Sequence, residues 1–222
     1  MNWDDNGQPI LLVPQVSHDV DIGVNYRSAQ WLSEFKLFNS NIKHEIAFDP
    51  SANWNYGGNV NYDPTRREGV SIRQAYRFSS VWDVKMNLHH VKASFAQGQY
   101  AGNIVPNTAR NYGNVSLGYQ LSGAHKFTMT SRFSSDKYAS GDFLNNQDKI
   151  AGYIVHDLSY GYRQDKFSLM ASVNNILNKH YTDLGVFKPI AGSGDYYYIS
   201  PYNMTVYPNP GRNVSLIGRY AF

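Results

Sequence analysis

The amino-acid sequence predicts an all-β protein, an antiparallel meander of about nine strands whose two faces differ in chemistry. Three observations carry that prediction. Side chains alternate between apolar and polar with period two in one segment after another, charges fall on only one of the resulting faces, and short connections alternate strictly with long ones.

Composition sets the bounds. The 222 residues include Tyr 18 and Gly 18, with aromatics at 15%, a mixture of β-formers and turn residues. No apolar run approaches the roughly 18 residues that a membrane-crossing helix needs, but a barrel strand needs only about 9 to 11 and hides its apolarity by alternation. The absence of cysteine removes disulfides, thiolate zinc sites and thiol chemistry together. A net charge of +3, scattered along the chain, gives no footprint for nucleic acid. Met1 to Asp5 is acidic and Ile10 to Pro14 is too short for the apolar core of a signal peptide, so an export signal is expected to be absent from this sequence.

The first strand spans about Gln15 to Arg27, with Val16, Val20, Ile22, Val24 and Tyr26 on one face and Asp19, Asp21 and Asn25 on the other. Ser28 to Gln30 links it to the second, where Trp31, Phe35 and Leu37 oppose Leu32, Glu34, Lys36 and Phe38. A long polar stretch precedes the third, Val70 to Phe78, and Ser79-Ser80 turns the chain into the fourth, Trp82 to His89. The fifth runs from Asn114 to Leu121, the sixth from Phe127 to Phe133, the seventh from Ile154 to Tyr162 and the eighth from Phe167 to Asn174, with turns at Ser122-Gly123 and Gln164-Asp165. The ninth is the C-terminal stretch Gly211 to Phe222, with Val214, Leu216, Tyr220 and Phe222 opposite Ser215 and Arg219.

Once the faces are chosen by their large apolar residues, Asp19, Asp21, Glu34, Lys36, Arg73, Arg77, Asp83, Lys85, Arg132, Asp157 and Arg219 all fall on the other face. Independent placement gives that split about once in 2,000 trials, whereas a Lys or Arg at a bilayer midplane costs roughly 2 to 4 kcal/mol. The apolar face therefore reads as lipid-facing. Tyr26, Trp31, Tyr76, Trp82, Tyr119 and Tyr162 stand on it beside the short turns, where an interfacial girdle belongs. Short turns at one rim and long loops at the other are the habit of outer-membrane barrels. A soluble carbohydrate-binding β-domain or adhesin would tolerate charge on both faces, so the split weighs against that class.

With the strands placed, several stretches resemble TonB-dependent outer-membrane receptors. Val173-Asn174-Asn175-Ile176-Leu177-Asn178-Lys179-His180-Tyr181 resembles that family's penultimate-strand signature, and Tyr207-Pro208-Asn209-Pro210-Gly211-Arg212 with the final strand resembles its closing signature. Asn41 to Phe48, Asp63 to Val70, Gly102 to Pro106 and Ser140 to Asn146 resemble further family segments in the right order. Ser71 and Thr108-Ala109-Arg110 depart from the usual pattern. The resemblance implies that residues 1–222 are one domain, the C-terminal part of a 22-stranded barrel whose plug and N-terminal strands lie outside this sequence. It implies an outer-membrane location, surrounding lipid, delivery by the barrel assembly machinery through a C-terminal strand ending in Tyr220 and Phe222, and coupling to TonB only through the plug. The expected function is transport of a scarce chelate, a ferric siderophore first, with haem or cobalamin as alternatives, and inactivity for the segment alone. A passive porin-like channel or another outer-membrane barrel protein is the competing class.

Ligand contact is expected at the long loops. The connection from Asn178 to Pro210 holds Tyr196, Tyr197, Tyr198, Tyr202 and Tyr207, suited to stacking on a flat ligand, and Trp54, Tyr56 and Tyr100 stand in other long loops. Arg66, Arg67 and Arg110 could hold an anionic chelate by charge-assisted hydrogen bonds. Packing within the loops, and solvated charge, are the plain alternatives. His89 with His90, and His156 with Asp157, are sequence neighbours that a strand sends to opposite faces, so neither pair can ligate a metal or catalyse. With no HExxH or GxSxG motif, no enzyme activity, cofactor or metal site is expected.

Overall fold

The structure, a computed structural model, describes residues 8–9, 11–50, 52, 57–187 and 204–222. No helix occurs among them. The strands are β1 (Val16–Arg27), β2 (Trp31–Lys43), β3 (Ile46–Asp49), β4 (Gly58–Asn61), β5 (Thr65–Arg77), β6 (Trp82–Phe95), β7 (Asn111–Gln120), β8 (His125–Ser134), β9 (Tyr153–Gln164), β10 (Phe167–Asn174), β11 (Thr182–Phe187), β12 (Met204–Pro208) and β13 (Asn213–Tyr220). Nine of these form one sheet in the order β1-β2-β5-β6-β7-β8-β9-β10-β13, and every neighbouring pair is antiparallel. Each strand thus pairs with the next long strand in the chain. The hairpins β3-β4 and β11-β12 stand inside two of the long connections and were not visible in the alternation.

The registers keep like beside like. On the apolar face Trp31, Tyr76, Val84, Leu117, Met129, Leu158, Val173 and Val214 are successive partners across eight strands. That row begins at the first residue of β2, beside a short turn, and reaches the next-to-last residue of β10, beside a long connection. The strands are therefore progressively staggered. Stagger of one sense is what closing a sheet into a tilted-strand barrel requires.

The short-turn rim carries a chain of ring contacts on the apolar face. Trp31 meets Tyr76 at 4.7 Å between centroids, Trp82 meets Tyr119 at 4.6 Å and Phe127 meets Tyr160 at 5.0 Å. The two-residue turn Asp165-Lys166 closes β9 on β10 one position later than expected, with Asp165 in the left-handed region at φ 47°, which a short polar residue tolerates.

At the other rim the strands run further than the alternation indicates: β2 continues past Phe38, β5 starts before Val70 and β6 continues past His89. There the two faces exchange character. Asn39, Asn41 and Lys43, with Arg66, Glu68, His90 and Lys92, occupy the face that is apolar lower down, while Ile42, Val91, Ala93 and Phe95 are buried on the other. Gly69 makes room for this change of packing, since a Cβ there would lie 2.8 Å from the Phe38 ring and 2.1 Å from the His90 carbonyl oxygen.

The buried side chains gather at the long-connection rim, from the strand ends there and from the loops that cover them. Ala93, Phe95, Val105 and Phe143 pack together with Tyr62 and Tyr100 against them. Tyr62 stands edge-on to Phe143 at 5.3 Å and Tyr100 stacks on Phe143 at 5.1 Å. Polar ties lock the loops: Asn145 accepts from the Ile104 amide at 2.6 Å and donates to its carbonyl at 3.0 Å. The buried Asp142 carboxylate accepts from the amides of Asn146 and Gln147, each at 3.2 Å.

Candidate functional site

The polar face carries a ladder of cross-strand ion pairs, three of them between neighbouring strands and one, Lys126 with Asp83, reaching from β8 to β6 across β7 over Gly118. Lys36 meets Asp21 at 3.0 Å, Arg73 meets Glu34 at 3.5 Å, Lys126 meets Asp83 at 2.5 Å and Arg132 meets Asp157 at 2.8 Å. All eight groups belong to the face that the sequence marks as polar.

Above the ladder, where the loops fold over the sheet, a recess of about 670 Å³ is lined by Arg67, His89, Asn107, Tyr112, Asn114, Arg132, Lys137, Tyr153 and Asp183 among others. Cations and aromatic rings converge in it. The Arg67 guanidinium makes a fork to Glu45, donating from Nη2 to Oε1 at 2.5 Å and from Nη1 to Oε2 at 2.9 Å. Thr65 donates to the same carboxylate at 2.6 Å. Lys137 pairs with Asp183 at 3.0 Å. The His89 ring stacks on Tyr112 with centroids 4.8 Å apart, and Tyr153 contacts Tyr181 at 4.4 Å. Such a surface offers charge-assisted hydrogen bonds to an anion and flat faces to an aromatic ligand.

Arg132 is held in place from a distance. Asp157, its partner, also accepts from the Asn175 amide at 2.8 Å. Asn175, 2% exposed and left-handed at φ 52°, closes a tight turn by accepting from the Lys179 amide and donating to the Lys179 carbonyl, each at 2.8 Å. Asn178, at φ 51°, accepts from the Arg212 amide at 2.9 Å. A Cβ at Gly211 would sit 2.8 Å from that same Asn178 oxygen. The asparagine-rich stretch after Val173 and the Pro-Gly-Arg before β13 thus form a single clasp. It fixes the exit of β10 and the entry of β13, and through Asp157 it aims Arg132 into the recess.

Of the residues expected at the site, Arg67 lines this recess. Tyr100 is packed in the loop core, where burial pushes its phenol up; burial first, then the Asp49 and Glu45 carboxylates, does the same more strongly to Tyr62. Arg66 points to the opposite face and donates from Nε to Asn41 Oδ1 at 3.0 Å. Arg110 lines a separate recess of about 260 Å³ with Lys92 and Lys149. Tyr207 lies on β12 opposite Leu184 and is exposed. Trp54, Tyr56, Tyr196, Tyr197, Tyr198 and Tyr202 lie outside the described residues. Tyr220 and Phe222 are exposed at the end of β13, their rings edge-on at 5.4 Å.

The sequence reading missed Tyr112, Lys137, Tyr153, Glu45 and Asp183 as site residues. Tyr112 and Tyr153 could have been found, since each has polar-face parity at the loop end of its strand. His89 and His90 do diverge: His89 stacks on Tyr112, and His90 Nδ1 meets Asn111 Oδ1 at 2.7 Å on the other face. His156 and Asp157 also part, to Ser131 and Arg132. Among the described residues no group of three or more His, Asp or Glu side chains could hold a metal ion.

Solved structures share this architecture. The ferric yersiniabactin uptake receptor FyuA from Yersinia pestis superposes with a TM-score of 0.71 at 20% identity, over 94% of this chain and 30% of that one. The copper transporter OprC gives 0.72 at 20% identity, over 96% and 32%. The ferric-catecholate import receptor Fiu from E. coli K12 gives 0.65 at 19%, over 93% and 27%. The chain therefore spans about a third of the length of these proteins or less, and at such identities the likeness shows the fold. The sequence model described as TonB dependent receptor-like, beta-barrel matches residues 2–176, well over half of the chain, so the protein belongs to the TonB-dependent receptor β-barrel family.

Proposed function

We propose that residues 1–222 form one domain, the C-terminal part of the wall and long-loop rim of an outer-membrane receptor that imports a chelated metal. A ferric siderophore is the leading ligand, ahead of haem or cobalamin. The observation that carries this reading is the cationic and aromatic recess at the long-loop rim, set on the polar face of a staggered sheet whose other face is apolar. The structurally similar proteins are a ferric yersiniabactin uptake receptor, a ferric-catecholate import receptor and a copper transporter. In this reading lipid hydrocarbon covers the apolar face, TonB acts through a plug supplied by further sequence, and Tyr220 and Phe222 present the last strand to the barrel assembly machinery. Among the described residues, the edge strands β1 and β13 each have one neighbour in the sheet. Unpaired backbone at membrane depth costs several kcal/mol per group, so further strands must close the barrel and this segment alone does not transport.

The test is equilibrium binding of a panel of anionic ferric chelates, read by quenching of tyrosine and tryptophan fluorescence, with conductance measured in planar bilayers. Saturable quenching that Arg67→Gln and Arg132→Gln weaken, without conductance, supports the proposal. Steady ion conductance by the segment alone, with no chelate binding, would replace it with a passive porin-like channel.

A further inference from the structure

Cations on the polar face fall into two groups. In the middle of the wall and at the long-loop rim each is held by a carboxylate, as Lys36 is by Asp21, Arg67 by Glu45, Arg73 by Glu34, Arg132 by Asp157 and Lys137 by Asp183. At the short-turn rim Arg27, Arg77, Lys85, Arg163 and Arg219 are exposed, and their side chains have no protein partner among the described residues. Asp83 stands opposite Arg77 in register, yet its carboxylate turns the other way, across Gly118 to Lys126 at 2.5 Å. A Cβ at position 118 would lie 2.6 Å from Asp83 Oδ1, so glycine keeps that route open. Arg27 and Lys85 share one register row with the uncharged Leu32 and Ala75 between them, three strand spacings or about 14 Å apart. These four line a recess of about 290 Å³ together with Arg77, Lys126 and Asp83. Four cations thus face one carboxylate, and that carboxylate is already taken.

We propose that this recess is an anion site at the short-turn end of the lumen and takes a polyvalent oxyanion, a tricarboxylate or an oligophosphate. Guanidinium forks match the oxygens of either group, and charge-assisted hydrogen bonds to them are the strong kind. The cations stand on the polar face, away from the stripe that meets hydrocarbon, so the ligand comes from the enclosed space. The role of the site rests on the receptor reading. At the long-loop recess Arg67, Arg132 and Lys137 are each neutralised by their own carboxylate, whereas the short-turn recess holds uncompensated positive charge. An anionic chelate therefore gains attraction as it moves from the first recess toward the second, and walls of low dielectric focus that field along the lumen. Arg163 and Arg219, on one further register row with Ser168 between them, continue the positive rim toward β13.

The experiment titrates citrate, and separately pyrophosphate, into the full chain in phosphatidylcholine vesicles at about 0.15 M salt, where the Debye length is about 8 Å, and reads binding by calorimetry. Saturable binding is expected. Arg77→Gln with Lys85→Gln should weaken it about a hundredfold, about tenfold for each cation, whereas Arg67→Gln at the other rim should leave it within about twofold. Asp83→Asn removes the one carboxylate and frees Lys126, so it should tighten binding about tenfold, a gain that no unfolding mimics. A preference for citrate names carboxylate cargo as the source and a preference for pyrophosphate names phosphate; either supports the site. Binding that Arg67→Gln weakens and the double variant does not would put the anion in the long-loop recess and overturn the proposal. Much tighter binding of hexaglutamate than of either small anion overturns it in favour of an acidic polypeptide. Ferric chelates that bind at the long-loop recess while neither anion binds at the short-turn rim overturn this site and leave the receptor reading intact. Binding at neither rim overturns both.

Discussion

Replacing Asn175 by alanine tests the clasp that joins β10 to β13. Its side chain satisfies both backbone groups of Lys179 at 2.8 Å, and its backbone sits at φ 52°. Lys179 is exposed, so water recovers part of the loss and each of its two groups then counts at the low end, about 1 kcal/mol. Alanine in the left-handed region adds about 1 kcal/mol more. The sum of about 3 kcal/mol is roughly a hundredfold rise in the population of the opened turn. Limited proteolysis of the 175–181 segment measures it, because cleavage tracks the open population when opening and closing are fast. Asn175→Gly removes the conformational part and should cut about fivefold more slowly than Asn175→Ala. Leu177→Ala, at a side chain 71% exposed in the same turn, should leave the rate within about twofold. If Asn175→Ala cuts no faster than Leu177→Ala, or if glycine is no better than alanine, the clasp does not hold the turn and its support of Arg132 falls with it.

Other outcomes follow from the same geometry. Leu117→Arg, in the middle of the apolar row, should destabilise the vesicle-bound protein by about 2 to 4 kcal/mol in urea titrations, while Ser116→Arg, one residue away on the polar face, should cost under about 1 kcal/mol. Arg67→Gln strands the Glu45 carboxylate, whose side chain is 14% exposed; a loss of about 2 kcal/mol is expected, and Glu45→Gln in that background should recover most of it in a double-mutant cycle. The raised Tyr62 phenol makes the loop core pH-sensitive. Its contribution is complete below the ordinary tyrosine value of about 10 and is lost as pH climbs from there toward the folded value, so nicking of the 96–110 connection should accelerate above pH 10. Tyr62→Phe should shrink that dependence while removing a 3.1 Å bond to the Phe48 carbonyl.

The sheet was legible because one physical rule acts on most of its residues. Where every second side chain from Val20 to Tyr26 or from Val115 to Leu121 is large and apolar, strand and face follow together, and the charged partners Asp21 and Lys36 or Arg132 and Asp157 confirm the faces by meeting across strands. Above the stripe the rule reverses. Val91, Ala93 and Phe95 are apolar because loops cover them, while Glu68 and Lys92 take the other face, so a search keyed to the stripe ends β6 at His89 when the strand runs to Phe95. The reversal marks the height at which one apolar environment ends and another begins.

The site was legible only in part, for a related reason. Residue type announces Arg66, Arg67 and Arg110 equally, yet parity on β5 sends Arg66 and Arg67 to opposite faces, and of the three Arg67 alone lines the recess above the ion-pair ladder. What lines that recess is decided by which loops fold back onto the sheet: Lys137 arrives from the connection after β8 and Asp183 from β11, far apart in sequence and joined at 3.0 Å. No local pattern encodes that meeting. The asparagine signature after Val173 belongs to the same problem from the other side, since its residues do not line the recess. They set the exit of β10, the exit sets Asp157, and Asp157 sets Arg132, so a stretch that reads as a family mark works physically as the support for a cation two strands away.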